Sequence, residues 1–390
     1  MFKLLLLIFF LAVASFPVAA QRMLSSEDAV QLALGNARNI NVASLSLKQQ
    51  QQLLKGAAGL ASPQITLEKS PYEPLIVGFQ QQLEWPTAYR SRKQLQKAKV
   101  ELAQGSMKLN ELDVKRLART AYLQLQYLNE RIIQLQYQDS IYKDIKAAAT
   151  RNFQAGQINK LDELFAASQA DRISNELARG RADLQQQVRI LQLVTGIREE
   201  ITTERIRAWE IPASLDSFQR SPRLQVLQQQ VEVSQRELKA EKASLLPSIN
   251  GGLLFPTDNT YSNFIGYQVG LYIPLWRGQN KSRIAAANTG IELARANLQN
   301  TSLNLENQLL VNQVNLQKEQ ASLTYFNNIA LQQSDQIIET SRRLFDAGEI
   351  GYIESLRNIT SAFETRINYL ETLRNYNQAI IELNYLTGNL

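Results

Sequence analysis

Residues 83–103 read LEWPTAYRSRKQLQKAKVELA, and residues 271–294 read LYIPLWRGQNKSRIAAANTGIELA. Each stretch passes from alternating apolar residues, through a proline and a short basic turn, into a helical pattern that ends in Glu-Leu-Ala. Proline ends a strand without having to donate a hydrogen bond to its ladder. The sequence therefore predicts the same strand-to-helix transition twice in one chain.

Apolar side chains alternate with polar or small ones before each of these prolines, which is the period of a half-buried strand. A shorter strand pattern precedes each, around residues 65–69 and 249–255, with turn residues between. The pattern predicts two β-hairpins inserted between helices, at about residues 64–85 and 248–273. Their alternating apolar positions are Val77, Phe79, Leu83, Trp85, Ile265, Tyr267, Val269, Leu271 and Ile273.

The stretches between the proline clusters predict long helices. No proline lies between Pro86 and Pro212, and none follows Pro274. Apolar residues from Val114 to Leu135 recur at spacings of three and four, which is typical of a helix. A helix from about residue 90 to about residue 152 would be ~90 Å long. A helix of this length predicts a coiled-coil or tubular array rather than a small globule.

The two halves of the chain form a tandem repeat. The motif F-x-A-G-x-I begins at Phe153 and again at Phe345, and Thr-Gly occurs at residues 195–196 and 387–388. Both pairs are separated by the same 192 positions (345 − 153 and 387 − 195). We expect a first repeat at residues 21–196, an inter-repeat segment at 197–220 and a second repeat at 221–390. The glycines of the paired motifs, Gly156 and Gly348, fit helix C-caps with positive φ.

The composition limits the chemistry. The N-terminal residues have the charged start, apolar run and small-residue site of a secretory signal peptide, which we expect to occupy residues 1–20. The chain has neither His nor Cys, so the commonest general base and the commonest soft metal ligands are missing. The net charge is +6, and the basic residues are interspersed with acidic ones along the chain. This distribution favours solvated helix faces over a nucleic-acid site.

This pattern resembles the outer membrane efflux protein family, the TolC-like channels. The resemblance rests on the paired F-x-A-G-x-I turns, the strand-Pro-helix transitions and the repeat termini LVTG (193–196) and LTG (386–388). It implies a mainly α fold with membrane β structure: a homotrimer with an α-barrel tunnel and a shared 12-stranded β-barrel. Hairpins with open edges must close by association in lipid, which agrees with a shared barrel. The alternating apolar residues would then face outer membrane lipid, with Trp85, Tyr267 and Tyr272 as interfacial aromatics.

The basic residues that follow each proline have two interpretations, and the sequence does not separate them. They either keep the helix surfaces soluble or lie at the membrane interface. These residues are Arg90, Arg92, Lys93, Arg277, Lys281 and Arg283.

The resemblance also implies a pore constriction near the Gly156 and Gly348 turns. An acid follows each glycine by six residues, Asp162 in the first repeat and Glu354 in the second. A threefold ring of Glu354 would favour cations, whereas Arg357, three residues further on, would oppose it. Phe345 and Ile350 occupy positions at which the family carries a polar lock, so closure here is expected to be apolar.

The resemblance implies a passive exit duct that works with an inner-membrane pump and a periplasmic adaptor, without catalysis or a cofactor. The alternative is a periplasmic coiled-coil adaptor or scaffold protein, which would lack two hairpins with lipid-compatible faces. A periplasmic enzyme is a weaker alternative, because His and Cys are missing, although carboxylates remain available as catalysts. Neither the cargo nor the identity of the pump and adaptor follows from the sequence.

Overall fold

The computed structural model describes residues 22–69, 71, 75–211, 221–257, 265–273 and 277–390. The expected signal peptide, three of the prolines (Pro74, Pro212 and Pro274) and most of both hairpin turns lie outside the described residues. The elements in chain order are β1 (Arg22–Leu24), α1 (Ser26–Asn36), α2 (Arg38–Gly56), β2 (Gln64–Glu68), β3 (Ile76–Leu83), α3 (Pro86–Gln154), α4 (Lys160–Thr195), β4 (Ile201–Thr203), α5 (Pro222–Ala243), β5 (Ser248–Pro256), β6 (Gly266–Tyr272), α6 (Arg277–Tyr325), a π-helical turn (Phe326–Ala330), α7 (Leu331–Asp346) and α8 (Tyr352–Thr387).

The long helix that the sequence predicts is present and extends beyond the expected limits. Helix α3 contains 69 residues, which corresponds to ~100 Å at the usual rise per residue. It begins at Pro86, where the missing N–H is not needed because the first helical N–H groups have no partner within the helix. Among the described residues, no helix has both the length and the apolarity that a membrane span requires.

The corresponding helix of the second repeat is interrupted, which the sequence did not indicate. Helix α6 ends at Tyr325, and one π-helical turn separates it from α7. Phe326 opens this turn and packs against the ring of Tyr369 at 6.0 Å between centroids. This contact joins the π-helical turn to α8, a distant part of the chain. Helix propensity depends on local sequence, so it does not predict the interruption.

Four glycines with positive φ end the main helices, and they form two pairs 192 residues apart. Their φ angles are 71° at Gly156, 76° at Gly196, 74° at Gly348 and 80° at Gly388. After α3, the N–H of Gly156 donates to Phe153 and that of Gln157 donates to Asn152. Bonds of the same spacing follow α7, and this pattern satisfies carbonyls that the helix end leaves open. The predicted C-cap role of Gly156 and Gly348 is confirmed.

The predicted hairpins are present, but they are not separate. Their strands form one antiparallel sheet in the order β2-β3-β5-β6. Strand β3 of the first hairpin pairs with β5 of the second, with Val77 opposite Phe255 and Leu83 opposite Ile249. The sequence predicted the two hairpins but not their pairing with each other within one chain. Only β2 and β6 keep an unpaired edge within this sheet.

The chain divides into two compact units. One contains the described residues of Met1–Ala37, Leu112–Asp216 and Gln308–Leu390, and the other those of Arg38–Glu111 and Ser217–Asn307. The first unit includes the parallel pair of β1 and β4 and a core shared by α3, α4, α7 and α8. The second includes the four-stranded sheet.

Asn377 of α8 holds the inter-repeat segment in the first unit. Its side chain is fully buried, and its Oδ1 accepts from the Trp209 N–H at 2.9 Å. Its Nδ2 donates to the carbonyl of Arg207 at 2.8 Å. The Tyr376 hydroxyl adds a bond to the Trp209 carbonyl. One amide thus supplies both the acceptor and the donor that this irregular backbone requires.

We expect Asn377→Ala to destabilise this unit by about 2–4 kcal/mol, because two backbone groups lose their partners. The measurement is thermal unfolding followed by circular dichroism at 222 nm. Asn375→Ala is the matched control, since Asn375 is exposed on the same helix and accepts hydrogen bonds from its neighbour Arg374. Equal melting temperatures for the two variants would contradict the assignment.

Candidate functional site

One face of the sheet is a continuous apolar surface. Paired residues in neighbouring strands share a face, so Ile65, Phe79, Leu253 and Tyr267 form one row across all four strands. These side chains are exposed, Tyr267 by 84% and Phe79 by 44%. Such a large exposed apolar patch indicates contact with an apolar environment.

The expected lipid-facing residues fall on this face where they lie within strands. Val77, Phe79, Leu83, Tyr267, Val269 and Leu271 share it. Trp85, Ile265 and Ile273 are exposed but lie just beyond the strand ends. Sequence reasoning omitted five further residues of this face, although they show the same alternation in β2 and β5: Ile65, Leu67, Ile249, Leu253 and Phe255. Tyr272, expected among the interfacial aromatics, pairs with Ser248 on the opposite face.

The opposite face of the sheet is polar and hydrogen-bonded across strands. Gln80 Nε2 donates to Gln268 Oε1 at 3.0 Å, and Asn250 Nδ2 donates to Gln80 Oε1 at 3.1 Å. Gln82 Nε2 donates to Ser248 Oγ at 2.8 Å. The sheet therefore has one face suited to lipid and one suited to water.

The two helix-hairpin turns repeat one contact with different residues. In the first repeat the Lys160 ammonium lies 4.8 Å from the centre of the Phe153 ring. In the second, 192 positions later, the ring of Tyr352 packs edge-on against Phe345 at 4.7 Å between centroids. Each turn is thus closed by the phenylalanine of its F-x-A-G-x-I motif.

Tyr352 also joins the two repeats through its hydroxyl, which accepts a hydrogen bond from Asn152 Nδ2 of α3. The side chain is 7% exposed. Burial raises the pKa of the Tyr352 phenol, although the bond from Asn152 opposes that change. The phenol therefore stays neutral at physiological pH. Sequence reasoning missed both residues, and the available signal was the position of Tyr352 as the first residue of α8.

A cavity of about 820 Å³ brings the expected constriction residues together. Asp162, Phe345, Gly348, Ile350, Glu354 and Arg357 all line it, together with Asn152, Tyr352 and Asp346. Its walls therefore carry three carboxylates and one guanidinium. Glu354 and Arg357 are exposed, and within the described chain no ion pair joins them. Gly156 lies in the other turn and does not contribute to the lining.

The two helices that follow the turns, α4 and α8, differ in how their N-termini are capped. Asn159 precedes α4, and its Oδ1 accepts from the N–H of Asp162 at 2.9 Å. Gly351 holds the matching position before α8 and offers no side-chain cap. A side-chain cap is worth about 1 kcal/mol, so the start of α8 is held less firmly by local bonds than the start of α4.

Among the five basic residues near the sheet whose side chains the structure describes, two form ion pairs. Both terminal guanidinium nitrogens of Arg92 contact the Glu84 carboxylate, at 3.0 and 2.8 Å. Arg283 contacts both oxygens of Glu241 at 2.9 Å. The sequence did not predict these pairs, because each acid lies outside the helix that carries its arginine. Arg90, Lys93 and Lys281 are exposed, and the side chain of Arg277 lies outside the described residues.

Comparison with known proteins relates this chain to outer membrane efflux proteins. Residues 216–389 match the family model described as "Outer membrane efflux protein". The chain is also 23% identical to the cobalt-zinc-cadmium resistance protein CzcC of Cupriavidus metallidurans, over 96% of this chain and 92% of that protein. Residues 216–389 therefore carry an outer membrane efflux protein domain.

Solved structures agree on the fold. The chain superposes on the outer-membrane channel OprN with a TM-score of 0.81 at 14% identity, covering 94% of this chain and 90% of that one. The Campylobacter jejuni CmeC outer membrane channel gives a TM-score of 0.80 at 14% identity, with 93% and 85% coverage. The predicted family and the TolC-like fold are confirmed. The chain therefore has the fold of these outer membrane channels.

Proposed function

We propose that this protein is the passive exit duct of a tripartite efflux system and that it acts as a homotrimer. The observation that carries the proposal is the sheet with an apolar face, a polar face and two unpaired edges, β2 and β6. Unpaired edges are costly in lipid, so each copy requires neighbours. Three copies supply 12 strands, enough to close a barrel, with β6 of one copy beside β2 of the next.

The partners follow from this role. A duct without its own energy source requires an inner-membrane pump, and a periplasmic adaptor to connect the two. The helix-hairpin turns at Gly156 and Gly348 and the inter-repeat segment near Trp209 are the proposed adaptor contacts. The repeat boundaries at residues 21–196 and 221–390 belong to the same proposal, as does the absence of catalysis and of a cofactor.

The oligomeric state tests the proposal. Detergent-solubilised protein from outer membranes is expected to sediment as a trimer and to form ion-conducting channels in planar bilayers. A stable monomer that retains its full β content would contradict it. It would favour instead the alternative of a periplasmic adaptor or scaffold.

We propose divalent transition-metal cations as the cargo. CzcC is named for resistance to cobalt, zinc and cadmium, and it aligns with nearly the whole chain. The cavity at the second turn has three carboxylates against one guanidinium, which favours the entry of cations. A strain lacking this protein should become sensitive to these metals while its tolerance of organic antibiotics is unchanged. The opposite pattern would point to drugs as the cargo.

We expect Glu354→Gln to lower the cation selectivity of the channel, most clearly at low salt. The hypothesis rests on three copies of an exposed carboxylate around the trimer axis, whose field salt screens over ~10 Å at 0.1 M. The measurement is the reversal potential in a salt gradient across a planar bilayer. Arg357→Ala should act in the opposite direction, since Arg357 offsets the carboxylates. An unchanged reversal potential in both variants would show that these side chains do not face the pore.

A further inference from the structure

The polar face of the sheet contains a row of side-chain amides that crosses all four strands. Gln64 of β2 lies opposite Gln80 of β3, which lies opposite Gly252 of β5, which lies opposite Gln268 of β6. Gln80 and Gln268 meet over the intervening strand, with Nε2 and Oε1 3.0 Å apart. Asn250 Nδ2 donates to Oε1 of the same Gln80 amide.

Gly252 leaves the space that this row requires. A Cβ at this position would lie 3.0 Å from Gln80 Cγ and 3.0 Å from the carbonyl oxygen of Phe79. Contacts of that length occur for few side chains, and the Phe79 oxygen belongs to the backbone. Glycine at position 252 thus lets the Gln80 side chain cross β5 and reach Gln268.

This face carries very little charge. Its described positions in the four strands hold amides, hydroxyls, glycines and a few apolar side chains. Among them the one carboxylate is Glu68, which lies at the end of β2 opposite Ile76. An amide offers both a donor and an acceptor, so its oxygen can contact cations and its N–H groups can contact anions.

We propose that this amide row lines the membrane section of the duct as a charge-neutral, hydrogen-bonding surface that does not select between cations and anions. Selection by charge is then left to the periplasmic part of the channel. The inference rests on the proposed function, because the face must be the inner wall of a trimeric barrel. It identifies Gln80, Asn250 and Gln268 as the residues that set the permissiveness of this wall.

Thiol labelling tests the inference directly, because the native chain has no cysteine. We would introduce Gln268→Cys and Val269→Cys separately and reconstitute each protein in phosphatidylcholine vesicles. Each thiol is reacted with a cationic trimethylammonium and an anionic sulfonate methanethiosulfonate reagent. Rates are normalised to those of a free thiol in solution. The reagent is supplied on both sides of the vesicle membrane, so it reaches the barrel through its extracellular mouth in either orientation and the result does not depend on the gate.

We expect the two reagents to label residue 268 at normalised rates within about threefold of each other at low salt, because a neutral wall creates little potential. Adding Gln80→Glu, at the side chain that contacts residue 268, should raise the cation-to-anion ratio by about fivefold or more. This second variant confirms that the assay detects local charge. A preference above about threefold for one sign at Gln268→Cys alone, or no labelling there, overturns the inference.

Val269→Cys separates this inference from the function on which it rests. Residue 269 belongs to the apolar face, and lipid should slow its labelling at least about tenfold relative to residue 268. If residue 269 is protected but residue 268 is sign-selective, the neutral wall is wrong and the duct stands. If residue 269 reacts as fast as residue 268 in vesicles, the sheet is not embedded in lipid and the proposed duct fails as well.

Discussion

Val269→Arg is expected to abolish the assembly of the channel in the outer membrane. Val269 is 75% exposed on the apolar face, in a row with Gln81 and Gly251. An arginine on the lipid face of a barrel costs about 2–4 kcal/mol near the midplane. A trimer carries three copies, so the total of about 6–12 kcal/mol matches the stability of an ordinary folded protein.

The measurement is the fraction of protein that runs as a heat-modifiable trimer in gels of purified outer membranes. Gln268→Arg is the matched control, since it introduces the same side chain one residue earlier on the same strand, on the polar face. We expect this control to form trimers at close to the wild-type amount. Equal loss in both variants would show that the two faces of the sheet are assigned wrongly.

Removing the hydrogen bond between Asn152 and Tyr352 is expected to open the channel. The bond joins the last turn of α3 to the first turn of α8, and α8 has no side-chain N-cap to hold it otherwise. A buried hydrogen bond contributes about 1–1.5 kcal/mol, which corresponds to roughly a tenfold change in the ratio of closed to open channels. Asn152→Ala and Tyr352→Phe should each raise the open fraction by about this factor.

Single-channel recording in planar bilayers measures the open fraction, and the double variant should open no more than either single one, because both changes remove one bond. Lys160→Ala is the control, because Lys160 makes the matching contact in the first turn at an exposed position. We expect it to leave gating near wild type. Unchanged gating in Asn152→Ala and Tyr352→Phe would argue against this contact as a closure.

The same recordings address the apolar closure that the sequence predicts at Phe345 and Ile350. Both residues line the cavity, and Phe345 is held within its own chain by the ring of Tyr352. Phe345→Ser and Ile350→Ser should raise conductance if these residues close the pore by excluding water. Their comparison with Tyr352→Phe separates an apolar closure from a hydrogen-bonded one.

The sequence by itself determined the elements whose causes are local. Alternation with period two predicted the strands, spacing by threes and fours predicted α3, and the duplicated Gly156 and Gly348 predicted the positive-φ turns. These features depend on a few consecutive residues and on backbone sterics, so a single chain suffices to recognise them. The duplication then made the family recognisable, although no single motif is specific.

Only the tertiary structure decided the features that join distant parts of the chain. Strand alternation does not specify which strand is the neighbour, so the pairing of β3 with β5 was not predicted. The bond from Asn152 to Tyr352 spans 200 positions, and the bond from Gln80 to Gln268 spans 188. Such contacts depend on how helices and strands from both repeats pack. A local pattern reports which face of an element is apolar, but it does not report the partner that covers that face.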